Sequence, residues 1–150
     1  MSELGGDLEV WQSNALVEAS QTMTLNEKRL IYAAAALHDP RRPAPHKGTV
    51  TFHADDFGDA FGLDLRGKGR YDDLKDAARR LYNRTIRLIR ASPRGKGKQR
   101  ITDMRWVWMA EYNEGAATVT LGFSPPVLPY LTMLQAEFTR LKLKHIGNIG

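Results

Sequence analysis

The sequence predicts an α+β domain in which a helical core carries a β-hairpin wing, and three stretches make that prediction. Tyr71 to Arg90 passes from helical to strand periodicity without a breaker: Tyr71, Leu74, Ala78, Leu81 and Tyr82 recur at helical spacing, and from Thr85 the residues alternate. Ile101 to Tyr112 and Ala117 to Phe123 read as two strands joined by the glycine-containing turn Asn113 to Ala116. Upstream, helical signals at Asn14 to Ala19, Thr24 to Leu37 and Phe57 to Phe61 enclose one short strand. Helices followed by a hairpin wing make a winged helix.

Taken in order, residues 1–11 are polar and glycine-bearing and are expected to form a loose tail. Ser13 can cap a short helix over Asn14 to Ala19, with Leu16 and Val17 available for packing. Thr24-Leu25-Asn26-Glu27 is a capping box, and behind it Leu30, Ile31, Ala34 and Leu37 are expected on one apolar face. Asp39 to Gly48 holds three prolines and reads as a loop, Thr49 to His53 as a small strand, and Gly62 as the end of the helix around Phe57. The central helix is expected to begin near Arg70, with Asp72, Asp73 and Asp76 early and Arg79, Arg80 and Arg84 late, which suits the helix dipole. Ile101 to Tyr112 is expected to be one long strand, with Met104, Trp106, Trp108, Ala110 and Tyr112 on one face and Arg105, Val107, Met109 and Glu111 on the other. In the return strand Val119, Leu121 and Phe123 point inward and Thr118 and Thr120 outward. Ser124-Pro125-Pro126 starts a helix that buries Val127, Leu128, Leu131 and Leu134. The domain is expected to span residues 12–141, and the apolar, basic segment 142–150 to lead into a further domain.

Composition narrows the function. At 150 residues with 42% apolar and 26% charged side chains, the chain fits one domain with a sizeable core. There is no cysteine, which excludes disulfides, thiolate catalysis and cysteine-bound zinc. No apolar run approaches a membrane span and Met1 to Val10 lacks a signal-peptide core, so the cytoplasm is the expected compartment and no membrane partner is expected. A net charge of +5 and a pI near 9.6 favour an acidic partner such as nucleic acid.

Cations that can reach a phosphate backbone are Lys75 and Arg79 on the central helix, Arg66, Lys68 and Arg70 before it, and Arg94, Lys96, Lys98 and Arg100 in the glycine-bearing loop after Arg90. Asn83 and Arg79 carry the groups that read base edges. Each cluster also fits a solvated surface. Trp106, Trp108 and Tyr112 could stack on bases, although packing under the helices is the stronger reading. Enzymatic readings fail on residue types: His38, His46 and His53 lack the spacing of a metal pair, Asp55, Asp56 and Asp59 suit a helix N-terminus better than a metal, and Gly95-Lys96-Gly97-Lys98 lacks the P-loop pattern. No catalytic residue, metal or cofactor is expected.

Four blocks carry a family resemblance: Gln12 to Ala19; Met23 to Leu30; Tyr71 to Leu81; and Phe123-Ser124-Pro125 with Pro129-Tyr130-Leu131 and Phe138-Thr139. In this order and spacing the chain resembles the N-terminal half of replication initiators of iteron-containing, theta-replicating bacterial plasmids. The resemblance implies the first of two winged-helix domains. In that family monomers bind double-stranded origin iterons, the second domain making the main major-groove contacts, and dimers bind an operator inverted repeat and repress the initiator's gene. The first domain adds DNA contacts and forms the homodimer interface, which points to the hairpin face bearing Arg105, Val107, Met109, Glu111, Thr118 and Thr120. Two other readings stay open: a stand-alone winged-helix repressor, and an interaction module that recruits host replication proteins.

Overall fold

The computed structural model describes residues 14–43, 47–61 and 68–137. Helix α1 covers residues 14–20, and it buries Leu16 but leaves Val17 39% exposed. Helix α2 (Leu25–Leu37) begins at the expected capping box: the Thr24 hydroxyl accepts from the Glu27 amide at 3.3 Å, and the Thr24 amide donates to Glu27 Oε2 at 2.7 Å. Its buried stripe is Glu27, Leu30, Ile31, Ala34 and Ala35, continued by His38. Leu37, expected inside, is 60% exposed. At about 100° per residue it lies roughly 90° from the middle of that stripe.

Strand β1 (Thr49–His53) and helix α3 (Ala54–Ala60) follow, and the Phe57 and Phe61 rings meet edge to face at 5.3 Å. Helix α4 (Lys68–Tyr82) buries Tyr71, Leu74, Ala78 and Leu81, as its periodicity predicts, together with Ala77, while Tyr82 is only partly buried. Strands β2 (Thr85–Ala91) and β3 (Gln99–Arg105) pair antiparallel as a separate two-stranded ribbon. Strands β4 (Val107–Asn113) and β5 (Thr118–Phe123) form the wing hairpin. With β1 they build a three-stranded antiparallel sheet in the order β1-β5-β4. A 3-10 turn at Pro125–Val127 leads into helix α5, described over residues 128–137, with Val127 and Leu131 buried and Leu128 and Leu134 partly so. The expected tail 1–11, the helix stop at Gly62 and the segment 142–150 lie outside the described residues.

The single strand expected from Ile101 to Tyr112 is therefore two strands belonging to two sheets, and the corner is Trp106. Its side chain is fully buried, its ring lies 6.0 Å from that of Tyr130, and its carbonyl accepts from the Ser124 amide at 3.0 Å. Just beyond it, the register slips between Val107, opposite Phe123, and Met109, opposite Gly122. This bulge re-aims side chains. Trp106 and Val107 both enter the core, while Trp108 turns out and is 55% exposed. Strict alternation, which placed Trp106 with Trp108 and set Val107 on the outer face, fails here. Thr118, also expected outside, is buried.

One ion pair ties the helices together. Glu27 is inaccessible to solvent, and Arg84, just past α4, donates to it from Nε at 2.6 Å and from Nη2 at 3.1 Å. Arg84 Nη2 also reaches the Thr22 carbonyl at 3.3 Å. Burial pushes the Glu27 carboxyl up, but the Arg84 hydrogen bonds and those from Thr24 outweigh it and hold the group below its ordinary value.

Glu27→Gln keeps the shape, removes the charge and leaves Arg84 without a counter-ion, so a loss of about 2–4 kcal/mol is expected in urea unfolding at neutral pH. Because the folded carboxyl ionises below its ordinary 4.5, the pair's contribution is full above that pH and is lost as pH falls through the folded value. Glu27→Gln should flatten this acid limb. A second substitution probes the bulge: a Cβ at Gly122 would stand 2.7 Å from Cε2 and Nε1 of Trp108. Gly122→Ala is expected to displace the indole at a cost of about 1 kcal/mol and to increase acrylamide quenching of tryptophan fluorescence.

Candidate nucleic-acid interface

The candidate cations on and before α4 divide into engaged and available groups. Arg66 and the Lys68 side chain lie outside the described residues. The Arg70 side chain is 14% exposed, with Nη1 2.7 Å from Asp59 Oδ1 and 3.2 Å from the Asp55 carbonyl. It clamps α3 to α4. Lys75 lies 3.3 Å from Glu114 Oε1 and 3.7 Å from Asp72 Oδ1, with its ammonium 4.7 Å above the Tyr71 ring. It ties α4 to the tip of the wing. Arg79 is exposed, and its guanidinium sits 5.9 Å from the Tyr112 ring centre. Burial raises the Tyr112 hydroxyl above its ordinary pKa, and Arg79 opposes that shift. Asn83 is exposed just past the end of α4, where its backbone N–H donates to the Arg79 and Arg80 carbonyls.

The β2–β3 ribbon presents a denser set. Its loop is closed by the Ser92 amide on the Lys98 carbonyl at 2.9 Å and the Lys98 amide on the Gly95 carbonyl at 2.8 Å, with Gly97 at a φ of +76° that suits glycine. Arg94, Lys96, Lys98 and Arg100 are all exposed. Two further cations on the ribbon, Arg87 and Arg90, were not among the residues that the sequence pattern brought forward. Arg87 forms a two-pronged contact with Asp103 at 2.8 and 3.1 Å, which holds the carboxyl below its ordinary range. Arg90 is half-buried opposite Arg100.

The distribution of charge distinguishes the ribbon from the rest of the molecule. Residues 85–105 hold seven arginines and lysines against one acid, a net +6 in a chain whose total is +5, so everything else sums to −1. This signal was readable from the sequence, where the boundaries of the loop, rather than of the ribbon, set the window.

The aromatic residues do not form one platform. Trp106 is in the core, Trp108 is exposed, and Tyr112 is partly covered by Arg79. Among the candidate dimer residues, Arg105 donates to the Tyr82 carbonyl and lies 4.6 Å over the Tyr82 ring, so it caps the C-terminus of α4. Val107 and Thr118 are buried, a correction forced by the bulge and by the central position of β5. Met109 is half-buried, Glu111 is exposed, and Thr120 shares a 2.9 Å hydrogen bond with Thr51. Among the described residues β4 is an edge strand of its sheet.

His38 is buried with Nε2 unpartnered, and burial lowers its pKa, Asp39 opposing and Lys47 reinforcing the shift. His53 is exposed and His46 lies outside the described residues. No group of three or more acidic or histidine side chains gathers at a metal-binding distance among the described residues, and none of their helices is long and apolar enough to cross a membrane.

Residues 9–149 match the family model described as "Initiator Replication protein, WH1". Among solved structures, the chain is similar to the WH1 domain of MSBI1.176, a replication protein isolated from a multiple sclerosis patient. The two are 29% identical, with a TM-score of 0.64, over 89% of this chain and 97% of that one. It is also similar in fold to the Pi initiator protein, solved in complex with iteron DNA, at 20% identity and a TM-score of 0.54. That match covers 84% of this chain and 48% of the initiator, so this chain spans about half of it. The α+β topology, with the β1-β5-β4 sheet and its β4–β5 wing, agrees with the winged-helix expectation. By the match over nearly its whole length, the chain belongs to the WH1 domain family of initiator replication proteins.

Proposed function

We propose that this chain is the first of two winged-helix domains of a plasmid replication initiator and that it contacts origin DNA chiefly through the β2–β3 ribbon. The carrying observation is the charge division, a ribbon of +6 on a body of −1. A polyanion gains free energy from releasing its condensed counterions, and that gain is available only where cations cluster. Arg94, Lys96, Lys98 and Arg100 supply phosphate contacts, Arg79 and Asn83 a smaller set at the end of α4, and Arg66 and Lys68 are further candidates by residue type. Arg70 and Lys75, engaged with acids, act mainly in holding the fold.

The Pi initiator's capture with iteron DNA supports iterons as the duplex partner. The domain proper spans residues 12–141 after a tail at 1–11, and residues 142–150 lead to the second domain. The free edge of β4, with Met109 and Glu111 beside it, suits pairing with a second copy. Dimerisation then withdraws monomers from the iterons and places them on the operator inverted repeat, giving autorepression by mass action. The protein works without catalysis or cofactor in the bacterial cytoplasm, and host replication proteins are its further partners at the origin.

Titration of labelled duplex at several salt concentrations tests the ribbon. Replacing Arg94, Lys96 and Lys98 by glutamine should weaken binding and reduce the slope of log K against log salt by about 0.9 for each phosphate no longer neutralised. Lys75→Gln should change it far less. A triple variant that binds as the parent does would refute the ribbon reading. For the dimer, sedimentation at micromolar concentration should show Met109→Asp shifting the chain to monomer while duplex binding persists. A parent chain that is strictly monomeric would overturn the assignment of β4.

A further inference from the structure

We propose that Arg90 and Arg100 form a two-arginine clamp for one phosphodiester of duplex DNA, an inference that rests on the ribbon being the DNA-binding element. The two are direct cross-strand partners, so their side chains leave the same face of the ribbon with Cβ atoms about 5 Å apart. Further along that face Ile86 and Leu88 enter the core and Met104 packs against it. The guanidinium groups thus mark the outer end of a face whose inner end is anchored. Arg90 is half-buried, and its Nε has no hydrogen-bond acceptor.

The ribbon offers no internal remedy. Its sole acid, Asp103, stands opposite Arg87, on the other face by the two-residue alternation, and is occupied by Arg87. Like charges directly opposed across two strands destabilise the pair, and stability alone would favour a carboxylate at one of these positions. A phosphodiester removes the conflict. Its two unesterified oxygens can accept from two guanidinium groups at once, each presenting planar donors that match phosphate geometry. Arg94, Lys96 and Lys98, in the loop joining the strands, flank the same end of the ribbon. The clamp is therefore unfavourable in the free protein and favourable in the complex, a pairing of signs that an ordinary solvated surface does not produce.

The 150-residue chain with Arg90→Gln, Arg100→Gln or both, and a Lys96→Gln/Lys98→Gln control, tests this by thermal unfolding without DNA and by duplex affinity at fixed salt. Each single substitution should raise Tm at low salt, with the gain shrinking as salt screens the repulsion. Each should weaken duplex binding roughly tenfold, and the double variant should bind little worse than either single, because both arginines serve the same phosphate. Arg90→Lys, which keeps the charge but not the fork, should retain the salt slope with reduced affinity. A fall in Tm for Arg100→Gln, or losses that multiply in the double variant, would overturn the clamp. If Arg90→Gln binds like the parent while the Lys96→Gln/Lys98→Gln control is weakened, the clamp fails and the ribbon stands. If the control also binds like the parent, the ribbon reading fails with it.

Discussion

The rest of the structure depends on the contact between Glu27 and Arg84. A carboxylate taken wholly out of water is tolerable only with a charged partner and further donors, and Glu27 has Arg84, the Thr24 amide and the Thr24 hydroxyl. Because Glu27 begins α2 and Arg84 follows α4, this set fixes where one helix starts relative to where the other stops. The ribbon begins at Thr85, the residue after Arg84. Its start is therefore tied to a capping-box residue that lies 57 positions before Arg84 in the chain.

Trp106 supplies the second constraint. Burying its indole between the ribbon and the wing, against Tyr130, bends what would otherwise be one strand and assigns its halves to different sheets. The wing hairpin then packs with α4, where Lys75 meets Glu114 and Arg79 meets Tyr112, and the ribbon is left to carry its charges outward. An uninterrupted strand from 101 to 112 would have kept Arg100 in line with the wing.

Much of this was legible in the sequence. The capping box, most of the buried stripe of α4, the small strand β1, the wing turn (expected at 113–116 and found at 114–117) and the inward residues Val119, Leu121 and Phe123 all follow from periodicity and local chemistry. Positions 106–108 were not legible, because the chain changes sheets at Trp106 and a bulge follows, so that Val107 enters the core and Trp108 turns out, while beyond it Ala110 and Tyr112 pair with Leu121 and Val119 on the face that alternation expects. Leu37 failed for a related reason, since the stripe on α2 begins at a charged residue whose burial depends on a partner far along the chain. Among the candidate contacts, residue type identified the cations of the loop. It could not reveal that Arg70 and Lys75 are held by acids from other elements, or that Arg90 faces Arg100 across a ribbon.

The separation of charge between ribbon and body has a kinetic consequence. With +6 on the ribbon and −1 on the rest of the sequence, the charge is unevenly divided, and the domain carries a dipole as well as a net positive charge. In the field of a polyanion it experiences a torque before it makes any contact, effective within roughly a Debye length of 8 Å at physiological ionic strength. Productive encounters are then those that arrive ribbon first.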